Sequence, residues 1–184
     1  MPDREEIVRS IFGAWRLAHL DTTGMQYFNL SFEGFFRSFF VAVLIAPFYA
    51  IQVALQTGEV VDLMHLVIVK AFVYALGWVI FPLVLAILGR IFNLGESYVP
   101  FIVAYNWCQV ILTAFWLPLT VVLAQDMLGR DLGTLLFLLA FAATYAFVWF
   151  IARTALRTNA LTAAGVTVVS LVIDLALIGL DGKI

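Results

Sequence analysis

The chain has little of what soluble enzymes are built from. Only 12% of its 184 residues are charged, and it holds two histidines and one cysteine. Soluble domains carry about 25% charged residues. Cys108, standing alone, excludes an intrachain disulfide and says nothing about redox compartment. One cysteine and two distant histidines provide no metal-ligand spacing, so no metal or other cofactor is expected. A formal net charge of −2 leaves no electrostatic footprint for nucleic acid. Ser-His-Asp sets, HExxH, glycine-rich phosphate loops and close carboxylate pairs are all missing. Intramembrane proteolysis has only Ser170 and His65 as loose candidates, and the chain reads as non-enzymatic. The opening MPDREEIVRS mixes both signs of charge and lacks an apolar run with a small-residue cleavage site, so the N-terminus is expected to be retained.

What the chain has in excess is apolar surface: 64% of it is hydrophobic and 15% aromatic. A small soluble domain leaves much of its surface in water and could not hide that excess. Soluble enzyme, disordered chain and disulfide scaffold fall together, and the fold class is an all-α polytopic membrane protein in contact with the lipid bilayer.

A membrane helix needs about 20 apolar residues, and five stretches qualify: approximately 35–56, 63–89, 99–124, 132–152 and 160–180. The breaks carry turn chemistry at Thr57-Gly58-Glu59, Asn93-Leu94-Gly95-Glu96, Gln125 to Asp131 and Arg153 to Asn159. Their shortness predicts that consecutive spans pack as antiparallel neighbours. Arg4, Arg9, Arg16, Arg37, Arg90, Arg153 and Arg157 flank one side, whereas Arg130 and Lys183 flank the other. Seven against two puts the N-terminus in the cytoplasm and the C-terminus outside.

Residues 1–32 precede the five-span domain of 33–184. Within them, residues 5–20 read as an amphipathic helix in the headgroup plane. Val8, Ile11, Phe12, Trp15 and Ala18 form its apolar face; Glu5, Glu6, Arg9, Ser10, Gly13 and Arg16 fall near the other. It serves as a topological anchor or as a docking helix for a partner protein. Asn29 or Ser31 is placed to cap the first span, with Glu33 in its first turn.

Polar residues inside spans are costly and should find one another. Counting from the span ends puts Lys70 and Asp174 at matching depth, which predicts an ion pair between spans two and five. Thr167 and Ser170 share a helical face with Asp174, while Tyr105, Asn106, Gln109 and Thr113 form a stripe on span three. Such stripes turn toward neighbouring helices as hydrogen-bonding glue, or line a hydrated pathway. Pro47, Pro82 and Pro118 lie inside spans, where each frees a carbonyl and invites a kink, and Pro100 suits a first helical turn. Trp15, Tyr27, Tyr98, Trp116 and Trp149 mark span ends as interfacial anchors do.

SYVPFIVAYNWCQVIL at 97–112 and YAFVWFIARTALRTNALTAAGVTVVSLVIDLAL at 145–177 resemble the third span and the closing pair of spans in the Yip family of Ypt-interacting small membrane proteins. The likeness covers roughly residues 35–180. It implies a five-span fold with a cytoplasmic N-terminal region, and the short N-terminus is similar to bacterial members of the inner membrane. The long N-terminal domain of the eukaryotic relatives is missing, so small-GTPase binding and family site residues do not carry over. Three functions then compete. One is a non-enzymatic protein that organises or bridges membrane components, another a small transporter or proton- or ion-conducting protein using Lys70 and Asp174. The third is an accessory subunit of a larger membrane complex or a homo-oligomer.

An odd number of crossings separates the two tails. Alkaline phosphatase fused to the C-terminus should be active outside the cell, and a fluorescent protein on the N-terminus should glow inside. Both reporters working from one compartment would overturn the span count.

Overall fold

The computed structural model describes residues 1–56, 63–89 and 94–181. The first turn sequence (Thr57, Gly58, Glu59), Asp62, Arg90, Asn93 and Lys183 lie outside the described residues. Seven α-helices follow in order: α1 Arg4–Ala18, α2 Phe32–Ser38, α3 Phe40–Gln56, α4 Leu63–Leu88, α5 Tyr98–Ala124, α6 Arg130–Ala155 and α7 Ala160–Asp181. Short 3-10 turns cover Thr22–Tyr27 and Gly95–Ser97. No strand occurs among the described residues. Five helices are long and apolar enough to cross a membrane, the first of them formed by α2 and α3 together. The chain is an all-α integral membrane protein.

Each helix starts where local chemistry favours it. Asp3 caps α1 by accepting the Glu6 amide at 2.7 Å, and Glu5 and Glu6 sit in the positive first turn. Ser31, one of the two expected caps, accepts the Gly34 amide at 3.0 Å, while Asn29 Oδ1 in turn accepts the Ser31 hydroxyl at 2.7 Å. The first span breaks at Phe39, just after Ser38 returns its hydroxyl to the Phe35 carbonyl at 2.7 Å.

α5 is the hub, with α1, α2, α3 and α6 packed against it and α4 against α7. The expected neighbour pairs α5–α6 and α6–α7 are close. α3–α4 and α4–α5 are not among the close backbone pairs of the described residues. Those helices meet through side chains instead. Tyr74 of α4 donates to the Ala42 carbonyl of α3 at 2.5 Å, and Tyr98 of α5 donates to the Pro82 carbonyl of α4 at 2.8 Å.

The bundle is unequal along its length. Phe81, Leu85, Phe101 to Ala104, Trp107, Ile151, Ala152, Ala163 and Val166 are buried at the end where α1 sits. Nearer the other end, Phe72, Leu132, Leu135 and Phe137 are exposed.

The N-terminal helix packs on the bundle through a face other than its bulky apolar one. α1 lies against α5 and the Thr22–Tyr27 turn, with Ser10, Gly13, Ala14 and Leu17 buried. The bulky residues turn outward: Val8, Phe12 and Trp15 are 67%, 46% and 55% exposed, with Ile11 half-buried against the core. Small side chains let backbones approach closely, so Gly13 and Gly24 lie face to face. A Cβ on Gly24 would fall 2.5 Å from the Gly13 carbonyl oxygen, and one on Gly13 would fall 2.8 Å from that of Gly24. Ala18 and Leu20 share a cavity wall with Ile111 and Phe115 of α5 and Ala143 and Phe147 of α6.

Charge fastens this docked segment. Arg16 forms an ion pair with Asp21 and donates to the Tyr27 hydroxyl at 3.1 Å. These bonds raise the arginine's pKa, while the Thr23 hydroxyl and amide, and then Arg16, hold the Asp21 carboxyl below its usual range. Glu6 accepts Arg37 of α2 at 2.7 Å and the Asn29 amide at 3.1 Å. Arg37 also pairs with Glu33 at 2.5 Å. Arg9 stands with Glu6 and Arg37 around a shallow polar hollow.

Gly24→Ala should disrupt this docking, because the added methyl meets backbone rather than a flexible side chain. Overpacking of this kind costs about 1–3 kcal/mol. Limited proteolysis of the variant in detergent should release residues 1–31 faster while the five-span core stays intact; unchanged cleavage would show that the glycine contact does not hold α1.

Candidate functional site

The polar residues of the spans converge on one cavity of about 360 Å³ to which all five spans contribute. α3 supplies Tyr49, α4 supplies Tyr74 and Trp78, α5 supplies Tyr105, Asn106 and Gln109, α6 supplies Thr144 and Tyr145, and α7 supplies Asp174. Three residues of the predicted span-three stripe therefore do line a common cavity with Asp174. Ser170, on the same face of α7, is buried just behind it.

Asp174 anchors a short chain of hydroxyls. Tyr145 donates to its Oδ2 at 2.9 Å. The Ser170 hydroxyl approaches the same oxygen at 3.5 Å, and the Tyr105 hydroxyl lies 3.3 Å from Ser170 Oγ. Both contacts fall on Oδ2, and Oδ1 accepts no protein donor among the described residues. At the packed end, Asn106 is buried and donates from Nδ2 to Ser38 Oγ at 2.9 Å. That bond closes the cavity floor between α5 and the break in the first span.

The expected Lys70–Asp174 pair does not form. The ion pairs among the described residues are Arg16–Asp21, Arg37–Glu6 and Arg37–Glu33. The reason is register. α4 and α7, the second and fifth of five consecutive crossings, run antiparallel and pack on each other. Gly77 of α4 faces Leu177 of α7, with 3.6 Å between a Cβ built on the glycine and Leu177 Cδ1. Asp174, three residues before Leu177, then lies level with a position three residues after Gly77. Lys70 is ten residues from that level, about 15 Å at 1.5 Å per residue. Counting from span ends assumed flush ends, whereas packing at Gly77 sets the offset.

Lys70 instead lines a second cavity, of about 600 Å³, with Gln52, Trp116 and Thr120. Tyr49 belongs to the walls of both cavities. Thr113 is half-buried and lines neither of them. Thr167 spends its hydroxyl on the Ala163 carbonyl of its own helix at 2.9 Å. Trp116, read as an interfacial anchor, donates to Thr144 Oγ1 at 3.0 Å and so ties α5 to α6 beside the cavity.

Tyr145 is the important residue that the sequence reading missed. Its signal was visible: Thr144 and Tyr145 are the only polar residues between 135 and 148. No group of residues able to hold a metal ion occurs among the described residues. Comparison with protein-family models, curated proteins and solved structures returns no match.

The Asn106–Ser38 bond can be weighed by a double-mutant cycle. Asn106→Ala and Ser38→Ala should each destabilise the protein by about 1 kcal/mol, with a coupling of about 0.5–2 kcal/mol in unfolding from mixed micelles. Strict additivity would mean that the two side chains do not interact.

Proposed function

We propose that this integral membrane protein is a small transporter or ion-conducting protein that works through the cavity around Asp174. One observation carries the reading: all five spans contribute to a single cavity with an acidic residue in its wall. An ionisable group at such a position costs roughly 2.5–3.5 kcal/mol on insertion scales, and intramembrane carboxylates commonly mark proton or ion pathways. Pure packing would not call for it. The two cavities share Tyr49, while Trp107, Phe101 and Phe81 are buried at the packed end. With the N-terminus in the cytoplasm, the protein suits a bacterial inner membrane.

A second reading is favoured by the rim at the packed end. Val8, Phe12 and Trp15, joined by Phe32 and Phe36, all project outward there. In that reading the protein is a non-enzymatic organiser of the Yip-like type, using this rim to bridge membrane components or to seat itself in a larger complex.

Flux separates the two. Purified full-length protein in liposomes should dissipate an imposed pH gradient about tenfold faster than its Asp174→Asn variant, and Lys70→Met should retain most of the rate. Equal rates for wild type, Asp174→Asn and empty liposomes would defeat the conducting reading.

A further inference from the structure

The composition of the cavity wall specifies the kind of solute it suits. Among the residues that line it there is one carboxylate, Asp174, and no lysine, arginine or histidine. Five aromatic rings stand in the wall, and they arrive from four different helices: Tyr49, Tyr74 and Trp78, Tyr105, and Tyr145. Tyr49 and Tyr74 stack at 4.6 Å between centroids, and Trp78 stands edgewise to Tyr74 at 6.3 Å.

Most of these rings have already committed their hydroxyls. Tyr74 donates to the Ala42 carbonyl, Tyr105 is engaged with Ser170, and Tyr145 donates to Asp174. What remains to a ligand is the ring surface lining the cavity that other rings do not cover, since Tyr49 and Tyr74 shield one face of each other, and an aromatic face attracts cations electrostatically. Asp174 completes the arrangement, since its Oδ1 accepts no donor from the protein among the described residues and stays available as a counter-ion.

A hard metal ion fits this wall poorly, because calcium takes six to eight oxygen ligands and magnesium keeps an octahedral shell. An alkylated ammonium fits well. Its charge is spread over methyl or methylene groups, it sheds water readily, and it needs ring faces with one counter-charge. The cavity volume of about 360 Å³ lies within the range of small-molecule sites.

We infer that the cavity walled by Tyr49, Tyr74, Trp78, Tyr105 and Tyr145 is a binding site for an organic ammonium ion, with Asp174 as counter-ion. This rests on the reading of the cavity as a solute site and names the class of solute.

The test is equilibrium binding of choline to the full-length protein in nanodiscs, alongside 3,3-dimethyl-1-butanol, its uncharged carbon analogue. Choline should bind saturably, and the analogue at least about tenfold more weakly, corresponding to roughly 1.4 kcal/mol. Asp174→Asn should weaken choline binding by about tenfold or more, and Tyr74→Leu should weaken it as well. The comparison of the two compounds needs only the unmodified protein, so it stands even where a variant fails to fold. Equal binding of both compounds, or choline binding unaffected in a folded Asp174→Asn protein, would overturn the inference. Absence of choline binding together with Asp174-dependent proton flux would defeat the ammonium site and leave the conducting reading in place. Absence of both would remove the two together. Choline binding without proton flux supports the site and points to carriage of the solute rather than conduction.

Discussion

Hydrocarbon offers no hydrogen-bonding partner, and that constraint organises everything polar in this bundle. Backbone groups are satisfied within each helix, but a side chain that enters the membrane with a hydroxyl, amide or carboxylate must be answered by its own helix or by another. The answers are specific. Tyr74 reaches the Ala42 carbonyl, Tyr98 the Pro82 carbonyl, Trp116 the Thr144 hydroxyl, Asn106 the Ser38 hydroxyl and Tyr145 the Asp174 carboxylate. Each bond joins two different helices. Because dispersion between lipid and apolar side chains is nearly as good as that between helices, these contacts decide which helices meet and in what register. α3 and α4, whose backbones do not pack closely, are held together in this way.

Close packing supplies the rest, and it is concentrated at one end. There Gly13 and Gly24 let α1 and the following turn interlock, Ala14 and Leu17 fill the groove against α5, and Trp107 and Phe101 are wholly enclosed. The Glu6–Arg37 and Arg16–Asp21 pairs act on a segment already positioned by shape. Exposed ion pairs contribute little alone, but Glu6 is mostly covered and serves Arg37 and Asn29 at once. The N-terminal segment is thus a structural part of the packed end, while its outward face of Val8, Phe12 and Trp15 remains free for lipid or protein.

Span number and span limits were legible in the sequence because length and apolarity decide them and a bilayer tolerates little else. The observed helix Tyr98–Ala124 starts and stops within one residue of what hydropathy implied. Ser31 as a cap was legible for a similar reason, since capping is local. The face on which α1 packs was not legible. Amphipathicity marks the bulky face, which stays outward, but does not say which residues meet the bundle, where small ones allow backbone approach. Nor was the partner of Asp174 legible. Depth estimated from span ends carries an error of a few residues per helix, and an offset of ten between α4 and α7 was enough to give the carboxylate to Tyr145. The polar stripes of α5 and α7 were half legible: periodicity placed Tyr105, Asn106 and Gln109 together, but could not say that Thr113 of α5 and Thr167 of α7 would stand apart.

The placement of Asp174 distinguishes a site from a staple. A carboxylate kept only to fasten α6 to α7 would do better with both oxygens engaged, or replaced by an apolar residue, since buried charges are often neutral or unfavourable for stability against a well-packed hydrophobic substitute. Here one oxygen takes both protein contacts and the other takes none among the described residues. The residue also lines a cavity to which all five spans contribute a side chain. A carboxylate that is costly to its own span, is half satisfied and stands in such a cavity supports the proposed solute site over a staple.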